Sequence, residues 1–252
     1  MVRRKSLRGQ VLVLAALTIS LAILSTQAYI YRRSRVEVSA NWDALSDYLL
    51  SIEQGSRHVI VASLINVSNR GAHSNLRGNL DRWESLVVGD YQYGRCDLNA
   101  TAVSQIPYSE GVWLDWGIDG KGVSSASADF FLNLSGKGAE IVMNYKVNIT
   151  TTALVSGSFV SLGGNFKQVT VLFNLLNEGE PALVESIDIA YSKEAIWWDP
   201  SLLESYSRQD FGNGTYLYSF NDDIPGNQVT VRFQTYDRRA VLVQVEATLH
   251  ER

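Results

Sequence analysis

From residue 11 to residue 31 the chain carries no charge: VLVLAALTISLAILSTQAYIY is an apolar run of 21 residues, with Arg3, Arg4, Lys5 and Arg8 before it and Arg32, Arg33 and Arg35 after it. At about 1.5 Å of rise per residue it makes a helix of roughly 30 Å, the thickness of a bilayer's hydrocarbon core. The pattern predicts a transmembrane helix over residues 10–31, and the short basic segment upstream favours the N-terminus inside and the remainder outside. Next, Val38, Trp42, Leu45, Leu49 and Ile52 recur at spacings of three and four among Asn41, Asp43, Ser46, Asp47 and Glu53. That period predicts an amphipathic helix continuous with the first, whose apolar stripe needs a partner. Two further helical stretches are expected at 59–67 and 74–88, divided by the breakers Asn69, Arg70 and Gly71. Residues 32–88 thus read as an amphipathic helical stalk.

At residue 89 the pattern changes. Residues 89–127 hold six glycines and few periodic runs, a loop-rich connection with short strands. From residue 128 a period of two takes over, and 129–134, 140–155, 168–176, 183–191, 215–220, 228–235 and 241–249 read as seven strands. Turn signals such as Asn177-Glu178-Gly179 and Pro225-Gly226-Asn227 separate several of them. In the last hairpin, QVTVRFQTYD turns through Asp237-Arg238-Arg239 into AVLVQVEATL, with Val229, Val231, Phe233 and Thr235 on one face. The expected fold class is α+β: an N-terminal transmembrane and stalk helix followed by an antiparallel β-sandwich head over 89–252. The stretch VTVLFNLLNEGEPALVESIDIAYS resembles immunoglobulin-like domains of extracellular and archaeal surface proteins.

Composition narrows the function classes. Of 252 residues 46% are hydrophobic and 19% charged, a balance that buries a core rather than a disordered tail. The formal charge is −4 and the pI near 5.4, with basic clusters only beside the apolar run, so no nucleic-acid partner is expected. Cys96 stands alone, which excludes an intramolecular disulfide and a cysteine-built zinc site.

The apolar segment has three fates open to it. It reads as a secretory signal with the small residues Thr26 and Ala28 near a cleavage point, or as an uncleaved anchor. The third fate rests on the junction Arg8-Gly9-Gln10, where a short basic leader ends in Gly and the apolar run begins with Gln. Here the chain resembles archaeal type IV pilin-like proteins with a class III signal peptide. The resemblance implies a leader of residues 1–9, cleavage between Gly9 and Gln10 by a prepilin-type peptidase, and a helix kept on the mature protein, in the membrane and then among like subunits. Removing the leader leaves 18 Lys plus Arg against 26 Asp plus Glu, a formal charge of −8. Leu14 takes the fifth mature position, where bacterial pilins usually carry Glu.

Five Asn-x-Ser/Thr triplets follow, at Asn66, Asn99, Asn133, Asn148 and Asn213, each a formal acceptor for N-glycosylation. No Gly-x-Ser-x-Gly or His-Glu-x-x-His is present, and Asp115-x-x-x-Asp119-Gly120 and Asn221-Asp222-Asp223 lack the spacing of an EF-hand loop. No catalytic residue, metal ligand or cofactor is expected, and the chain does not read as an enzyme. The pairs Trp113 with Trp116 and Trp197 with Trp198 offer apolar faces for a sugar or a protein contact, or for closing a core. The leading expectation is a structural cell-surface protein, a pilin-like subunit anchored by its N-terminal helix with its head outside the membrane, for assembly into a filament or adhesive appendage. The alternative is a signal-anchored or secreted β-sandwich module that binds glycan or a surface protein.

Overall fold

A computed structural model describes residues 24–27, 45–92, 94–136 and 139–252. The chain divides into two compact units, residues 1–54 and 55–252. In the first, residues 24–27 and 45–54 are helical. Gly9 and Gln10 lie outside the described residues, as does the segment 10–31 apart from 24–27.

The second unit opens in helix α1 (residues 45–68, of which 55–68 belong to this unit) and continues with α2 (Asn75–Asp90). Ser56, Ile60, Ser63, Leu64 and Val67 of α1 are buried, as are Leu76, Leu80 and Val87 of α2. Spacings of three, four and seven, with Ser63 beside Leu64, put each set on one helix face. The end of α1 follows from its backbone: Gly71 N–H donates to Asn66 C=O at 2.9 Å and Arg70 N–H to Val67 C=O at 3.1 Å. This is a Schellman ending with Arg70, at φ 74°, in the left-handed position. Between the helices, a Cβ at Gly55 would lie 2.2 Å from the Trp83 ring, so the bare backbone there seats the indole.

Twelve strands follow: β1 (Arg95–Ala102), β2 (Val112–Trp116), β3 (Lys121–Gly136), β4 (Ala139–Gly163), β5 (Phe166–Asn177), β6 (Glu180–Pro181), β7 (Val184–Lys193), β8 (Ile196–Trp198), β9 (Ser207–Asp210), β10 (Thr215–Asp223), β11 (Val229–Asp237) and β12 (Leu242–Glu251). They form one sheet in the order β8-β7-β11-β12-β4-β5-β10-β9, with β3 on β4, β1 and β2 on β3, and β6 on β5. The key is β4, 25 residues long. Its residues 139–154 pair with β3, its residues 151–163 pair with β5, and its Ser158 and Phe159 meet His250 and Glu251 of β12 in a short parallel contact. One strand therefore serves every part of the sheet, and the sheet curls around it.

Two cores result. The curl brings β4, β5 and β10 against β7, β11 and β12, where Phe173, Tyr218, Phe233 and Val231 are fully buried in one cluster. The Phe173 and Phe233 rings lie 5.0 Å apart, and Tyr218 meets Phe233 edge-on at 5.4 Å. The second core lies where the helices meet β1, β3 and the first part of β4. There the Trp83 indole N–H donates to Ser56 Oγ at 2.9 Å, and that hydroxyl shares a 2.9 Å hydrogen bond with the Tyr145 hydroxyl.

The expected fold class is corrected. Strand accounts for 55% of the described residues and helix for 23%, so the protein is mostly β rather than α+β. Its strands join into a single curled, open sheet: β4 pairs with both β3 and β5, and the arm of β7, β8, β11 and β12 is linked to it through the short β12 contact. This β-rich arrangement is compatible with a β-sandwich. The transmembrane and single-pass expectation is corrected with it. Among the described residues no helix is long and apolar enough to cross a membrane. The long helix α1 carries Asp47, Glu53 and Arg57, and the 16-residue α2 carries Arg77, Asp81, Arg82 and Glu84.

Candidate glycan-acceptor face

Side chains alternate across a sheet, so the register of β1, β3 and β4 decides which residues share a face. Toward the helices point Cys96, Leu98, Ala100, Phe130, Leu132, Leu134 and Val147, all buried. The opposite face is built in rows. Asn99, Phe131 and Asn144 stand directly across from one another. Asp97, Asn133 and Val142 form the row on one side, and Thr101, Asp129 and Lys146 the row on the other. One row further, Asn148 pairs with Ser127.

Three of the five acceptor triplets, those of Asn99, Asn133 and Asn148, thus share one face. Their surroundings differ. Asn99 is exposed, and its Oδ1 accepts from the Thr101 hydroxyl at 3.1 Å. The Asn148 Oδ1 accepts from the hydroxyls of Tyr108 at 3.0 Å and Ser125 at 3.2 Å. The Oδ1 of Asn133 is buried without a hydrogen-bond partner. Among them Phe131 is 41% exposed and Val142 55%. A shallow depression of about 410 Å³ lies beside Phe131, lined by Asn99, Thr101, Asp129, Asn144 and Lys146 among others. At its rim Lys146 Nζ stands 3.8 Å from Asp129 Oδ1.

The other two triplets lie elsewhere. Asn66 sits on α1, its Oδ1 accepting from Asn75 Nδ2 at 2.5 Å. Asn213 occupies the turn from β9 to β10, where its Oδ1 accepts from Thr215 N–H at 3.2 Å, an Asx turn.

The tryptophans do not converge on a single platform. Trp113 and Trp116 belong to β2, which pairs with β3, whereas Trp197 and Trp198 belong to β8, which pairs with β7. Trp113 meets Tyr108 edge-on at 6.2 Å. Trp116 packs on the sheet-to-sheet core and donates its indole N–H to Ser124 Oγ at 3.0 Å. The Arg232 guanidinium lies 3.8 Å from the centroid of Trp197, while Trp198 is 47% exposed on the edge strand.

Two charged clusters have structural duties. Asp237, fully buried, accepts from the N–H groups of Arg239 at 2.9 Å and Val241 at 3.0 Å, from Thr151 Oγ1 at 3.0 Å and from Arg239 Nε at 2.7 Å. Arg239 also pairs with Glu178 at 2.7 Å, tying the β11–β12 turn to the turn after β5. Its guanidinium is half-buried, which alone would lower its basicity, but the bonds to Glu178 and Asp237 outweigh this and raise it. At Asp222, burial pulls the carboxyl upward, yet hydrogen bonds from Tyr191 at 2.7 Å and Lys193 at 3.0 Å outweigh it and hold the group below its ordinary value. Burial, then the Asp222 bond, pushes the Tyr191 phenol well above its own. Asp115 and Asp119 join no cluster of three or more His, Cys, Asp or Glu among the described residues.

Phe131 and Asn144 are the site residues that triplet reading misses. The signal is nonetheless present: two consecutive phenylalanines within a period-two segment must point to opposite faces, one of them outward. Comparison with known families, characterised proteins and solved structures returns no match.

Proposed function

We propose that the chain is a structural cell-surface protein, a pilin-like subunit whose β-rich part faces outward and whose apolar N-terminal segment packs with like subunits. The observation that carries this reading is the gathering of Asn99, Asn133 and Asn148 on one outward sheet face. Acceptor triplets gathered on one face would be of use where glycan can be attached, which supports an extracytoplasmic position for it. The leader junction Arg8-Gly9-Gln10 supports the same reading. Mass spectrometry of the protein in the sheared surface fraction tests it. The mature chain should begin at Gln10; a start at Met1 or near Tyr29 would remove the pilin-like part.

A second reading, a β module that binds glycan or a surface protein as a monomer, draws on Trp198 and Ile196, exposed on the edge strand β8. Sugar-dependent quenching of tryptophan fluorescence, without higher-order species, would favour it over assembly.

A further inference from the structure

The outward face of β1, β3 and β4 is polar except for Phe131 and Val142, and Phe131 occupies its centre. An exposed aromatic ring between two asparagines, beside a depression, is a surface of particular chemistry. A pyranose has one face of C–H groups that lies flat on an aromatic ring, and a rim of hydroxyls that seeks amides and charges. Around Phe131 those partners are present: Asn144 on one side, the Asp129 and Lys146 pair on the next row. On the other side stands Asn99 itself, the direct cross-strand neighbour of Phe131. Directly opposed residues of an antiparallel pair have Cβ atoms only about 4.5–5.5 Å apart. A sugar attached to the Asn99 amide therefore begins within reach of the ring.

We propose that Asn99 carries an N-linked saccharide whose first sugar lies across Phe131. This rests on the extracytoplasmic reading above. In the attachment, Asn99 Nδ2 bonds to the anomeric carbon of a saccharide carried on a lipid phosphate or pyrophosphate; the carbon's bond to phosphate oxygen breaks, and the amide proton leaves with the released phosphate. Among the three acceptors of this face, Asn99 is singled out by the contacts around each. The Asn133 oxygen is sealed, and Asn148 is held by two hydroxyls, whereas Asn99 is open and held only by the hydroxyl of its own triplet. The sugar covers the ring that the fold leaves bare, so saccharide and sheet stabilise each other.

The test uses the full-length protein from its native host, as wild type, Thr101→Val, Phe131→Ala and the double variant, with unglycosylated counterparts from a host lacking the pathway as baseline. Thr101→Val abolishes the triplet and keeps Asn99 in its strand. Glycopeptide mapping should find saccharide on Asn99. Relative to baseline, Thr101→Val should lower Tm by about 2–4 °C when Phe131 is present and leave it unchanged in the Phe131→Ala background. An equal loss in both backgrounds would overturn the stacking. Saccharide on Asn148 or Asn213 with none on Asn99 would overturn the site and leave the surface reading intact. No saccharide on any asparagine would count against both. If free hexose raised the Tm of the unglycosylated wild type as much as the attached saccharide, the face would be a docking site for foreign glycan and the modification assignment would fail.

Discussion

At Gly122 the backbone of β3 lies close against β12, and replacing it with alanine measures how far the curl of the sheet depends on that approach. A Cβ built there falls 2.0 Å from the Gln244 carbonyl oxygen, 2.9 Å from its carbon and 3.1 Å from Val245 Cβ. The ordinary closest approach of carbon to a carbonyl oxygen between strands is about 3.3 Å, so the strands must separate by roughly 1 Å. A gap of that size forfeits a good part of the local dispersion contacts, and overpacking of this kind costs about 1–3 kcal/mol. Alanine also restricts the unfolded chain, which returns about 0.4–1 kcal/mol. The expected net loss is about 1–2 kcal/mol, or roughly 2–8 °C in Tm for a chain of this length. Thermal unfolding followed by far-ultraviolet circular dichroism reads it, with Gly78→Ala as the matched control. Gly78 lies in α2 with nothing within 4 Å of its Cβ position, so alanine there should add about 0.8–1 kcal/mol. If Gly122→Ala were as stable as wild type while Gly78→Ala gained as expected, the close packing of β3 on β12 would be refuted.

Phe233→Ala should cost about 3–5 kcal/mol in urea unfolding, since its ring is fully buried between Phe173 and Tyr218; a loss under about 1 kcal/mol would place the core elsewhere. Asp222→Asn should cost about 1.5–3 kcal/mol at neutral pH, because it removes the charged acceptor for Tyr191 and Lys193. The Asp222 carboxyl is held below its ordinary value, so its contribution is full above the normal carboxylate range and fades as pH falls through the depressed one. The gap between wild type and variant should therefore close in acid, and a gap constant down to about pH 2 would contradict this. Burial, with Asp97 nearby, pushes the Cys96 thiol upward, so a thiol reagent should modify it only on unfolding. Rapid stoichiometric labelling of the native protein would show the helix-covered face to be open.

Strands β5, β7, β10, β11 and β12 can be read directly from the chain, because each alternates buried with more exposed positions. Strands β6 and β9, exposed throughout, and the three-residue β8 carry no such period and are missing from the expected strands. In β11 burial alternates residue by residue from Val229 to Asp237, as period two demands. The first part of β3 escapes such a reading for a physical reason. Residues 122–128, GVSSASA, are buried on both faces, so small residues replace the alternation, and the Ser124 hydroxyl is occupied by donating to Leu242 C=O. The end of β4 escapes it too. Gly157 looks like a breaker, but its missing side chain admits the Thr170 carbonyl oxygen, only 2.3 Å from where a Cβ would stand, and the strand continues to Gly163. The curl of the sheet depends on which halves of β4 pair with β3 and with β5, a long-range choice that no local period encodes. The acceptor face divides in the same way. Each triplet is visible as three letters, whereas the sharing of a face by Asn99, Asn133 and Asn148 exists only through the register of β1 on β3 and β3 on β4. The buried Asp237 hub, read in the sequence only as a turn, needs Thr151 and Arg239 brought to it by the fold.

The central claim is that the β-rich part of the protein faces the outside of the cell. Labelling intact native cells with a membrane-impermeant amine reagent, then mapping the modified lysines, tests it most directly. Lys121, exposed at the start of β3, should be labelled as fully in intact cells as in lysed ones. Labelling of Lys121 only after lysis would contradict the claim and place the protein, with its acceptor face, inside the cell.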